Sequence, residues 1–87
     1  MERFDRYENG DLKVLPMVGW ATDIVFDISC VLRIEFVRSE EDLQRVTRGA
    51  RPEGVQFVLT PEQADGLAQD LIKLAAEIRH AFTTRPD

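Results

Sequence analysis

The sequence holds one cysteine, one histidine and one tryptophan in 87 residues. That scarcity excludes a good deal. A single cysteine makes no disulfide within the chain. Cys30 and His80 together fall short of a structural zinc site, which takes four ligands. They are also the only classical nucleophile–base candidates. No glycine-rich elbow or helix N-terminus activates the thiol, so Cys30 reads as an inert core residue. His80 lies near the end of a helix, where the dipole favours a cation, and reads as a flanking residue. No G-x-x-x-x-G-K run is available to cradle phosphate. Acidic pairs occur at 40–42 and along the last helix, but they lack the pocket that separates the pKa values of a working dyad. No catalytic residue, metal site or cofactor is therefore assigned, and an enzyme is not expected.

Long apolar runs are missing too. None approaches the roughly 20 residues of a membrane span, so no membrane partner is expected. The opening "MERFDRYENGDLK" is charged throughout and carries no apolar signal core. With its single cysteine, the chain reads as a cytoplasmic protein. Basic charge is also short, the formal net charge being −5. Arg45, Arg48 and Arg51 form the only basic cluster, and Glu40, Glu41 and Asp42 precede it. Mixed-sign runs of this kind read as solvated surface, and direct contact with nucleic acid is not expected.

What is present is a clear order of elements. Residues 1–14 are polar, carry the turn signal "ENGD" and read as a flexible N-terminal arm. Residues 15–84 read as a single domain. Pro16 opens an extended segment. Val18, Trp20, Thr22, Ile24 and Phe26 then alternate with Gly19, Ala21, Asp23 and Val25. Asp27-Ile28-Ser29 is a weak turn without glycine. In "CVLRIEFV", Cys30, Leu32, Ile34 and Phe36 share one side, while Val31, Arg33, Glu35 and Val37 share the other. This is the pattern of a half-buried strand. Residues 39–54 form a charged connection, with Ser39 and Asp42 resembling a capping box and one or two helical turns expected at 40–48. "VQFVLT" is a third strand.

Thr60 then caps a helix, Pro61 fits its first position and Gln63 completes T-x-x-Q. Leu67, Leu71, Leu74, Ile78 and Ala81 make one stripe along it to about residue 82. The expected fold class is α+β: a two-layer β-β-β-α arrangement, a three-stranded antiparallel meander packed by one long C-terminal helix. A chain of this size buries about 60–65% of its unfolded surface, so the core is thin. Trp20 is expected to pack against the helix with its N–H at the rim; an interface anchor is the alternative. One sheet face stays uncovered, and the helix exceeds the width of its sheet. Both features point to a homodimer.

The segment "PMVGW" and the later "FVLTPEQADGLAQDLIKLAAEI" together resemble the BssS family of small enterobacterial proteins. Pro16, Val18, Gly19 and Trp20 carry the first likeness; Leu59, Thr60, Ala64 and the stripe from Leu67 to Ile78 carry the second. The resemblance spans about residues 15–80, and "VGW" is its specific part. The acidic arm and the charged 39–54 connection depart from that pattern. The resemblance implies a regulatory role in biofilm formation through signal secretion, with no enzymatic activity. The expected function is that of a small regulatory protein that binds another protein. Trp20, Val31, Val37, Val58, Glu40, Glu41 and Asp42 are the candidate partner-binding residues. The alternative is a phage-type acidic inhibitor, such as an anti-CRISPR protein, that blocks a nucleic-acid-binding surface of its target.

Overall fold

The structure is a computed structural model and describes residues 3–84. Three strands, β1 (Met17–Val25), β2 (Ser29–Phe36) and β3 (Glu53–Leu59), and two helices, α1 (Glu40–Thr47) and α2 (Pro61–Thr84), follow in the order β1-β2-α1-β3-α2. The strands form one antiparallel sheet in the order β1-β2-β3, so β2 is central. The expected α+β order of elements is present, with the long helix last. The chain divides into two compact units. One holds the residues up to Ala21 together with Arg33–Gln56; the other holds Thr22–Leu32 and the chain from Phe57 onward.

In the first unit, the polar arm closes on itself. Arg6 and Leu12 form an antiparallel bridge. The Tyr7 N–H donates to the Asp11 carbonyl at 2.8 Å, and Asn9 holds the turn through the Asp11 N–H at 3.0 Å. The "ENGD" signal thus makes a small hairpin. The chain then enters the sheet, where the Val37 N–H donates to the Pro16 carbonyl at 3.2 Å. Val37 is the buried hydrophobic residue among the described residues, 3% exposed.

An arginine orders the middle of this unit. Arg33, on β2, donates through Nε to Glu35 at 3.0 Å, through Nη1 to the Gln56 side chain at 3.2 Å and through Nη2 to the Pro52 carbonyl at 3.0 Å. The neighbouring strands make room for it. A Cβ on Gly54 would lie 2.5 Å from the Arg33 Cζ, and one on Gly19 would lie 2.9 Å from a Glu35 carboxylate oxygen. The glycine of "VGW" therefore clears a place for Glu35, which in turn steadies Arg33. These contacts put Gly19, Arg33, Glu35, Gly54 and Gln56 on one sheet face, in the alternation read from the sequence.

Ser39 caps α1, accepting from the Asp42 N–H at 3.1 Å. Gly49, with φ of 104°, ends that helix, and its N–H donates to the Val46 carbonyl at 3.0 Å. A left-handed conformation at this position is what glycine supplies.

In the second unit, β1 ends at Val25 and β2 begins at Ser29. Phe26 and Asp27 both have left-handed backbone, with φ of 56° and 62°. Two such residues in succession give a hairpin the twist that matches its strands. Phe26 is therefore a turn residue and not the last strand position that the alternation suggests. α2 starts at a reciprocal capping box. The Gln63 N–H donates to the Thr60 hydroxyl at 3.1 Å, and the Thr60 N–H donates to the Gln63 side-chain oxygen at 3.0 Å. The apolar stripe of α2, expected in the core, is exposed along its length: Leu67, Leu71, Leu74 and Ile78 range from 40% to 69%.

Two expectations follow. Thr60→Ala leaves a first-turn N–H without its acceptor and should cost about 1 kcal/mol, read from the urea midpoint of α2 ellipticity. Gly54→Ala should displace Arg33 from its three acceptors and destabilise the sheet. Arg33→Ala in the same chain should relieve much of that loss, giving a non-additive double-mutant cycle of roughly 0.5–3 kcal/mol.

Candidate partner-binding surface

The residues read as partner contacts fall into three settings. Val37 is interior, so it serves the core of its unit and is corrected from a surface role; its position beside Pro16 closes the end of the sheet. Val31 is half-buried on the central strand, and Val58 is 61% exposed on β3. Trp20 is 67% exposed on β1. The expected burial of its ring against the helix is therefore corrected: the side chain is an exposed aromatic, as an interface anchor is. Glu40, Glu41 and Asp42 form the first turn of α1, where the helix dipole favours anions.

The acidic triplet does not act as one charge. Glu40 and Glu41 are exposed. Asp42 is engaged: its carboxylate accepts the Arg38 N–H at 3.0 Å and an Arg45 guanidinium N–H at 3.3 Å. The backbone hydrogen bond from Arg38, helped by Arg45, holds the Asp42 carboxyl below the usual carboxylate value. Arg38 also pairs with Glu53 at 2.9 Å and lies over the Phe36 ring at 5.3 Å. Arg45 thus offsets the charge of Asp42, while the Arg38 guanidinium is engaged by Glu53.

A group that the sequence pattern did not single out stands at the β1–β2 turn. Ile24, Phe26 and Ile28 are 74%, 79% and 75% exposed. Three large apolar side chains crowd a hairpin tip with no covering residue of comparable size. Strand alternation hides this signal, because it assigns Ile24 and Phe26 to the core side. The one cue in the sequence is that the turn lacks glycine and sets Phe26 beside Asp27, where a pair of left-handed positions ordinarily takes Asn, Asp or Gly at both.

Exposed apolar surface is general. Chemistry is sparse by comparison. Cys30 is half-buried, and no group of three or more His, Cys, Asp or Glu side chains among the described residues could hold a metal ion. A depression of about 330 Å³ along the arm is lined by Arg3, Phe4, Asp5, Leu12, Lys13 and Val14. That lining brings no nucleophile beside a base. Among the described residues, no helix is long and apolar enough to cross a membrane.

No family model, no curated protein and no solved structure matches the chain. The surface is accordingly described from its own residues.

Because its pKa is lowered in the folded chain, ionised Asp42 stabilises α1. That contribution is complete above the unfolded carboxyl pKa, about 3.9, and disappears as pH falls through the lower folded value. Asp42→Asn should therefore weaken the protein at neutral pH, and the difference from wild type should close below about pH 4. Urea midpoints measured across the acid range check this.

Proposed function

We infer that the protein is a small cytoplasmic regulatory protein that acts by binding another protein and not by catalysis. The observation that carries this reading is the hairpin tip. A bulky residue in left-handed backbone costs about 1–2 kcal/mol relative to the ordinary helical region. Phe26 occupies that conformation and stays 79% exposed, so folding gains little from it. Strain retained without a packing return is characteristic of functional positions. Ile24 and Ile28 extend the apolar tip. Regulation of biofilm formation is the setting that the BssS resemblance implies, and a binding role without enzymatic activity agrees with it.

The acidic inhibitor is the second reading. Exposed Glu40 and Glu41 at a helix N-terminus favour it, while Arg38 and Arg45 beside Asp42 weaken it. Salt separates the two. Binding by exposed charge slows markedly as ionic strength rises, because charge attraction is screened over about 8–10 Å at physiological salt. Binding through an apolar tip changes little.

Phe26→Asn tests the principal reading. Asparagine tolerates left-handed backbone, so the variant should be more stable by about 1 kcal/mol. It should also lose the partner that the wild-type chain captures from its native host at both low and high salt. Gain of stability with unchanged capture would remove the hairpin tip as the binding site. Capture that weakens steeply with salt and depends on Glu40 and Glu41 would favour the inhibitor.

A further inference from the structure

Asn9 is the single asparagine of the chain, and a glycine follows it. The two sit in the turn of the N-terminal arm, and both are exposed. An asparagine carboxamide and the next backbone nitrogen can close a five-membered ring. A side chain on the following residue crowds that approach, and glycine has none. Gly10 has φ of 94°, and a Cβ built on it would meet nothing within 4 Å. The space around its nitrogen is open.

The groups about the turn favour ring closure. The Asp11 N–H donates to Asn9 Oδ1 at 3.0 Å. That bond polarises the carboxamide and holds the negative charge that gathers on its oxygen when Cγ is attacked. The Asp11 carboxylate accepts from Asn9 Nδ2 at 3.2 Å, which fixes the orientation of the amide. The Arg6 guanidinium donates to the Gly10 carbonyl at 2.8 Å. A cation this close favours a transient anion at the Gly10 nitrogen. One bond opposes: the Gly10 N–H donates to the Tyr7 carbonyl at 2.9 Å and must open first. Opening at an exposed turn costs little.

We propose that Asn9 is a site of spontaneous deamidation and that its conversion opens the arm. Hydroxide removes the Gly10 amide proton. The nitrogen attacks Asn9 Cγ, a C–N bond forms, and the Cγ–Nδ2 bond breaks. Ammonia leaves with a proton from water, which restores the hydroxide. The cyclic imide then takes up one water. Addition at Cγ yields aspartate, and addition at the Asn9 backbone carbonyl yields isoaspartate. Either route consumes one water and releases one ammonia, with no oxidant or second substrate.

Both products lose what holds the turn. The Nδ2 donor is gone, and a new carboxylate stands against Asp11, where like charges repel. Isoaspartate also routes the main chain through the former side chain, one carbon longer. The Tyr7 and Asp11 backbones then no longer meet in register. The Arg6–Leu12 bridge and the Lys13 amine, 5.3 Å over the Tyr7 ring, depend on that register.

α2 holds an internal contrast. Asp65 precedes Gly66 there, and the same ring could in principle close. The helix commits the Gly66 N–H to an intrahelical bond instead, so Asp65 should keep its linkage.

The full chain is aged in mildly alkaline buffer, folded or in urea. In the folded chain, ammonia release should match the growth of a form with one more negative charge, separable by anion exchange. Peptide mapping should place the change at Asn9, with Asp65 unaltered. The rate should rise in proportion to hydroxide, and Asn9→Gln, which would need a larger ring, should remove the conversion over the same time. In the separated aged chain, hydrogen exchange at the Tyr7 and Lys13 amides should quicken several-fold, with the Leu43 amide of α1 unchanged. Conversion in urea but not in the folded chain overturns the proposal, as does an equal rate in Asn9→Gln. Isomerisation of Asp65 as fast as that of Asn9 in the folded chain also overturns it, because the dipeptide and not the turn would then set the site. Tyr7 and Lys13 amides that exchange as in the fresh chain overturn the opening of the arm.

Discussion

Arg33 sets the terms for the sheet. Its guanidinium is largely covered, with the side chain 17% exposed, and a covered cation must have its N–H groups satisfied. Glu35 supplies the charge, while Gln56 and the Pro52 carbonyl supply the remaining acceptors. This single demand reaches all three strands. It excludes a side chain at Gly54 and brings Glu35 over Gly19. The large residues Trp20, Ile24, Leu32, Ile34 and Phe57 are left to the opposite face by strand alternation. The glycine next to the tryptophan is thus explained by the carboxylate on the neighbouring strand.

The apolar surface has no such internal answer. Val37 is interior, but the large side chains of the hairpin tip and of α2 stand in solvent. Large exposed apolar patches on soluble proteins mark interaction sites. The two patches differ physically. The tip is small, aromatic and held at a conformational cost, as a specific contact is. The apolar stripe of α2 is long, regular and unstrained.

Element order and boundaries were legible because their signals act over a few residues. Thr60, Pro61 and Gln63 fix the start of α2 through bonds spanning three positions. Ser39 and Asp42 likewise mark α1, and the resemblance to a capping box was sound, except that Asp42 reaches back to the Arg38 N–H instead of that of Ser39. The paired periodicities of "CVLRIEFV" and its neighbours assigned the sheet faces. The candidate surface was less legible. Val58 is exposed as a binding surface needs, but Val37 falls on the same sheet face by alternation and is interior. Alternation gives a side chain its face and says nothing about whether another element covers that face.

The sequence by itself determined the three strands, both helices, their caps and which residues share the Arg33 face, because each depends on neighbours along the chain or on the period of two within a strand. Only the tertiary structure decided that Phe26 turns in left-handed backbone, that Gly19 and Gly54 are spaces for Arg33 and Glu35, and that the stripe of α2 lies open. Those outcomes depend on how strands close into a hairpin and on which atoms arrive from distant positions. Such distances are set by the path of the whole chain, and no local pattern encodes them.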